Sequence, residues 1–253
     1  MDLSSLPSMY KKKQQNFEKR KQITFWNRLI YVCQFKPSAN PRVYWKYVLE
    51  IETIVQFQLQ ILQDGGRLTG FCILDKEGHV VVVVEGSDSI VTRHLKFMQS
   101  DDALMSKIVA MKIVCIETHI GQRCNDRWVC LKLFGIDWNA CARPSGIMDQ
   151  EKINVLEIYD TFMKSMLKVL NFIGTACLKF SPLDNTIDES DEEFDNCMVT
   201  LSKMFPSTRI LRVLLKSSMF SDLNPFMDCI FKLPKFRSYY EVVWPLPDFF
   251  LQD

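Results

Sequence analysis

The sequence predicts an α+β fold in which an antiparallel sheet carries two helices on one face. Three observations predict it. Five short β-rich runs and two helical stretches follow one another in the order β-α-β-β-α-β-β before residue 140. Gly, Pro, Asn and Asp punctuate the junctions between them. One run, Val80 to Val84, is unbroken valine, the pattern of a central strand buried on both faces.

Taken in order, residues 28–35 (RLIYVCQF) form the first β-rich run, and Lys36-Pro37-Ser38-Ala39-Asn40-Pro41 ends it. Tyr44 to Leu62 contains no Gly or Pro, and its apolar positions 45, 48, 49, 51, 54, 55 and 57 fall on one broad helical face. Asp64-Gly65-Gly66 stops that helix, because Gly accepts the left-handed conformation past a helix end. Residues 68–74 (LTGFCIL) give a second strand, and Asp75-Lys76-Glu77-Gly78 a hairpin turn into the valine strand. Ser87-Asp88-Ser89 offers a cap for a helix from Ser89 to Met98. Lys107 to Glu117 and Trp128 to Phe134 read as the fourth and fifth strands, with Gly121-Gln122-Arg123 read as a hairpin turn between them. Runs in this order fold as a ferredoxin-like sandwich, since right-handed crossovers leave few other solutions.

The remainder predicts a mixed α/β extension. Asp149 to Phe172 is a long amphipathic helix. The acidic stretch 184–195 is an exposed loop, and Ser190 to Glu193 closes it as a capping box that opens a helix to about Phe205. Thr208 to Leu215 reads as a strand, Ser221 to Lys232 as a helix with Pro225 in its first turn, and Tyr239 to Trp244 as a last strand. The chain thus divides into a basic polar tail at 1–23, a ferredoxin-like domain at 24–140 and an extension at 141–253.

Composition narrows the function classes. The 253 residues carry a net charge of +1, so no global field draws the chain to nucleic acid or an acidic surface. The nine cysteines are odd in number, and Cys33, Cys72 and Cys115 lie within apolar runs, as reduced buried thiols do. With only three widely spaced histidines, no ligand set of zinc spacing is present. The N-terminus has no apolar core of a secretory signal and no run is long enough to cross a membrane, which predicts a cytoplasmic protein. The clustered lysines and arginines of residues 11–21 read as a solvated tail, with contact to an acidic partner as the sharper alternative.

The stretch from Arg28 to Leu133 resembles the BLUF domain, the blue-light sensor that holds FAD between the two helices of a ferredoxin-like sheet. The residues that carry the likeness are RLIYVCQ at 28–34, GRLTGFCIL at 66–74, VVVVVEGSDSIV at 80–91 and RCNDRWVC at 123–130. The resemblance implies a flavin site at Tyr31, Gln63 and Trp128. Tyr31 occupies the place of the family's electron-donating tyrosine. The family's switching glutamine is Val82 here, which has no donor or acceptor with which to run the switch. The flavin-holding asparagines fall at about Leu62 and Gln63, and Cys130 stands in for a methionine near Trp128. A dinucleotide pocket needs several convergent polar groups. Their loss predicts no bound cofactor, with Tyr31 and Trp128 serving as packed aromatics.

Other chemistries find no constellation. His119 and Cys124 flank the Gly121 turn without an orienting third group or oxyanion element. His79 and His94 read as surface or cap residues. The 86–89 segment (GSDS) lacks the glycines and lysine of a phosphate loop, and 184–195 lacks the central Gly of a calcium loop. RNA recognition on such a sheet needs exposed aromatics on its central strands, and one of these is all valine. No catalytic residue, metal ligand or nucleic acid partner is therefore expected. The expected function is a non-catalytic interaction or structural module of a larger assembly, with other proteins as partners. The alternative is a flavin or small-ligand sensor using the cleft under the sheet. The chain as a whole is also similar to a testis-expressed vertebrate protein, which implies a place in the sperm flagellum and axonemal partners.

Overall fold

The computed structural model describes residues 26–38, 40, 42–61, 68–133, 154–176 and 192–232. The elements run β1 (Trp26–Phe35), α1 (Arg42–Ile61), β2 (Thr69–Leu74), β3 (His79–Gly86), α2 (Asp88–Ser100), α3 (Asp102–Met105), β4 (Ile108–Ile120), β5 (Trp128–Lys132), α4 (Val155–Ala176), α5 (Glu192–Met204), α6 (Thr208–Lys216), β6 (Ser221–Asp222) and α7 (Leu223–Lys232). Through β5 the order is the expected β-α-β-β-α-β-β, with the short α3 added before β4.

Among the described residues one mixed sheet of six strands organises the fold, in the order β5-β2-β3-β1-β4-β6. Its centre is the ferredoxin-like β2-β3-β1-β4 arrangement, with every neighbour antiparallel. At one edge β5 lies parallel to β2, and at the other β6 touches β4 only at Lys112 and Ile113. All eight residues of β3 and all six of β2 are buried. Gly70 on β2 has φ +134° and sits so close to β3 that a Cβ would stand 2.0 Å from the Val83 carbonyl oxygen. Only glycine permits that approach.

Two helical layers explain the valine run. Even-numbered residues of β3 (Val80, Val82, Val84) face a layer containing α1, α2 and α7, which contribute Val48, Ile51, Leu95, Met98 and Met227. Odd-numbered Val81 and Val83, with Ile30, Val32, Phe71 and Ile73, face α4, α5 and α6 through Phe162, Met166, Leu201, Leu211 and Leu214. Alternate side chains point to opposite faces, so a strand between two apolar layers reads as continuous valine.

Several expectations need correction. Thr208 to Leu215 is not a strand but helix α6, because its buried residues Leu211, Leu214 and Leu215 recur at helical spacing on one face. The segment after Gly121 is no hairpin turn. β4 and β5 lie on opposite sides of the sheet, so residues 121–127 cross β1, β3 and β2. This crossing is clipped to the sheet. The Cys124 amide donates to Glu85 Oε2 (2.9 Å), the Gly70 amide donates to the Arg127 carbonyl (3.1 Å), and the Arg123 guanidinium lies 4.2 Å from the centre of the Trp26 ring. Glu85 is fully buried and pairs with Arg28 Nε (2.7 Å), whose Nη1 donates to Glu117 (2.7 Å). Ser87 occupies the N-cap of α2, yet its hydroxyl meets that of Ser89 at 3.0 Å rather than capping the helix. Ser190 and Asp191 of the capping box, the acidic residues before Glu192, the tail at 1–23 and the strand at 239–244 lie outside the described residues.

Candidate functional site

The cleft expected from the sequence lies between the sheet and the layer of α1 and α2. Four strands meet there in one row. Tyr31 of β1 is directly opposite Val82 of β3, Val82 is opposite Cys72 of β2, and Cys72 is opposite Cys130 of β5. All four face the same layer, and Trp128 stands two residues before Cys130 on that face. The structure therefore brings Tyr31, Val82 and Trp128 to one surface of the sheet. With neighbouring strands about 4.8 Å apart, the row from Tyr31 to Cys130 spans about 14 Å. Gln63 and Leu62 lie outside the described residues.

This layer is filled by the chain's own side chains. Tyr31, Cys33, Cys72 and Val82 have no exposed surface, and Trp128 keeps 6%. The Tyr31 hydroxyl meets His94 Nε2 of α2 at 3.1 Å, and both side chains are completely buried. His94 was expected at the surface. It lies inside because Ile90, Val91, Leu95 and Met98 of α2 form the buried stripe, and His94 falls between Ile90 and Met98 at four-residue steps. That spacing was present in the sequence and identifies the residue that engages Tyr31.

Burial sets the electrostatics. Removal from water disfavours the charged form of each group. It pushes the Tyr31 phenol well above its usual range, with the nearby thiols of Cys33, Cys72 and Cys130 adding to the effect. It pushes the Cys33 thiol up to about 12 and lowers the His94 imidazole to about 4. The Cys72 thiol is raised first by burial and further by its hydrogen bond with Cys130. At neutral pH this face presents a neutral phenol, a neutral imidazole and neutral buried thiols to one another. That set can hold a scaffold together, and it offers no charged group to a phosphate or a ring carbonyl. No group of three His, Cys, Asp or Glu side chains that could hold a metal ion occurs among the described residues.

His79 also differs from expectation. It is fully buried, and its Nδ1 lies 2.9 Å from Asp75 Oδ2. The Asp75 carboxylate further accepts from the amides of Glu77 and His79, both at 2.8 Å, and from the Thr208 hydroxyl at 3.4 Å. The pair joins the β2–β3 turn to the start of α6, a contact between residues 133 positions apart in the chain.

A second feature lies on the β4 side of the sheet. β1 pairs with β4 along its length, whereas β6 covers the other edge only at Lys112 and Ile113. Beside this short cover runs a groove of about 350 Å³, lined among others by Cys115, Ile116, Leu156, Tyr159, Met219 and Phe226. Ile116 is 41% exposed, Leu156 62% and Met219 46%, so the groove presents apolar surface beside the strand edge. No residue pattern pointed to it, because which edge of a strand lacks a neighbour among the described residues depends on the strand order.

No protein-family model and no curated protein sequence matches the chain. Solved structures similar to it include the BLUF domain of BlrP1, at 16% identity over 43% of this chain and 66% of that one, with a TM-score of 0.33. BlrB, a BLUF protein in its dark state, is 17% identical over 42% of this chain and 74% of its own, with a TM-score of 0.32. A bacterial light-regulated adenylyl cyclase is 13% identical over 56% of this chain and 34% of its own, with a TM-score of 0.34. Among the described residues no helix is long and apolar enough to cross a membrane.

Proposed function

We propose that this chain is a non-catalytic interaction module that docks an extended, apolar segment of another protein along the outer edge of β4. The observation that carries the reading is the apolar groove beside the part of that edge which no strand among the described residues pairs. β6 already pairs antiparallel with β4 there, so a partner strand would continue a ladder that the chain itself begins. Amide and carbonyl groups that no described strand pairs would supply affinity, and the groove would supply room for alternate side chains. The finer reading, a larger assembly in the sperm flagellum with axonemal partners, is a proposal that no curated sequence match supports.

The test is retention of partners from flagellar extract by the full chain and by two variants. Ile116→Asp places a charge in the groove, while Leu167→Asp places one on α4, where Leu167 is 50% exposed outside the groove. A partner kept by the parent and by Leu167→Asp, and lost by Ile116→Asp, supports edge docking. Equal retention by both variants removes the β4 edge as the interface.

The alternative reading is a flavin or small-ligand sensor, favoured by Tyr31 and Trp128 sharing one face. The filled layer and the neutral groups around Tyr31 favour the absence of flavin. Protein purified in the dark is expected to be colourless and to leave the visible spectrum of added FAD unchanged. Bound flavin absorption would move the functional site to the Tyr31 layer.

A further inference from the structure

We propose that Cys72 and Cys130 form an oxidation-sensitive thiol pair that a hydroperoxide converts into an inter-strand disulfide. Among the described residues these are the only two cysteines placed directly opposite each other on adjacent strands. Both point into the layer of α1, and the Cys130 thiol is close enough to raise that of Cys72. Paired strands lie about 4.8 Å apart, within the roughly 4.4–6.8 Å separation of Cα atoms that a disulfide bridges. The two sulfurs can therefore join without a large backbone movement.

The two members are unequal in a way that assigns their roles. Among the described residues β5 is an edge strand of the sheet, and Cys130 is half-buried on it. Cys72 has no exposed surface. A peroxide reaching the edge therefore meets Cys130 first. The Trp128 indole N–H lies 3.2 Å from the Cys130 sulfur and donates to it, which holds that sulfur in place on the edge strand.

In the first step the Cys130 thiolate attacks one oxygen of the hydroperoxide. The O–O bond breaks as the S–O bond forms, and the other oxygen leaves as an alcohol, or as water from hydrogen peroxide, taking up a proton. Cys130 is now a sulfenic acid, oxidised by two electrons while the peroxide is reduced by two. In the second step the sulfur of Cys72 attacks that of Cys130. The S–S bond forms, the S–O bond breaks, and the hydroxyl departs as water with the proton that Cys72 gives up. The sum is two thiols and one hydroperoxide giving one disulfide, one alcohol and one water. Burial of Cys72 makes its deprotonation the slow step. The product would tie the edge strand to its neighbour under α1 and take the sulfur away from Trp128.

The test uses the full chain treated with hydrogen peroxide, alkylated, digested without reductant and mapped by mass spectrometry, with tryptophan emission followed in parallel. The expected result is a peptide linking Cys72 to Cys130 that disappears on reduction, with emission falling as the link forms. In Cys130→Ser the link is absent and Cys72 is alkylated only after denaturation. Cys130 found as a sulfinic acid with Cys72 still a thiol would overturn the proposal. So would an unreacted Cys130, or one linked to a different cysteine. The mapping of the parent chain decides the matter by itself if Cys130→Ser does not fold.

Discussion

His94 is a titratable side chain with no exposed surface, held by a single hydrogen bond to Tyr31. Burial lowers its folded-state value to about 4, below the usual 6.5. Above pH 6.5 it is neutral in both folded and unfolded chains and has no effect on their balance. As pH falls below 6.5 the unfolded chain takes up a proton that the folded chain refuses, so stability falls with pH until about 4. Between pH 7 and pH 5 this amounts to about 2 kcal/mol at ~1.4 kcal/mol per pH unit. Urea midpoints at the two pH values should show a smaller difference for His94→Phe than for the parent, whatever the other groups contribute. Equal differences would mean that the imidazole is not shielded. Gly70 gives a second prediction at this scale. Gly70→Ala would push a methyl against the Val83 carbonyl at a positive φ, and should cost at least about 3 kcal/mol or abolish folding, read from the same midpoints. Sequence reasoning reached these residues unevenly. Tyr31 and Val82 were placed from the strand pattern, whereas His94 was expected at the surface although its spacing within the apolar stripe of α2 marks it as buried. The Arg28–Glu85–Glu117 set was not legible, because it depends on the register of three strands far apart in the chain.

Elements whose partners are close in sequence were legible, and those defined by distant partners were less so. The first strand, first helix and β2–β3 hairpin are bounded by Pro, Asn and Gly, and their limits were found within a few residues. Helix α6 was misread because its eight-residue core holds five apolar side chains, including β-branched Ile210 and Val213, and a short apolar run fits either period. What decides for helix is tertiary: Leu211 and Leu214 lie against the second face of the sheet. The Asp75 carboxylate reinforces that docking by accepting from the turn and from Thr208 at the start of α6. Replacing it leaves the buried amide and imidazole donors without their acceptor. Asp75→Ala should therefore cost about 2–4 kcal/mol. Amide hydrogen exchange should quicken in the hairpin and in α6 together, whereas an effect confined to the hairpin would show that the link to α6 carries little.

At the scale of the whole molecule the ferredoxin-like order was legible, and the covering of both faces was announced only by the valine run. Amphipathic periodicity shows that a helix has an apolar face without showing what it covers. Helices α4 to α6 cover the face opposite α1 and α2, burying Ile30, Val32, Phe71, Ile73, Val81 and Val83 completely. Each such side chain contributes about 1.5–3 kcal/mol when removed from water. The face is built entirely from residues before Leu133, while most of its cover comes from residues after Asn154. A chain ending at Leu133 would keep the first helical layer except α7 and would present a broad apolar sheet face to water. It should aggregate or bind a hydrophobic dye strongly, and it should lose the cooperative thermal transition expected of the full chain. Adding residues 134–253 as a separate polypeptide during refolding should restore solubility, because the two parts share one core. A truncated chain that stays monomeric, binds no dye and melts cooperatively would show that the sheet needs only its first layer, and that α4 to α6 fulfil some purpose other than completing the core.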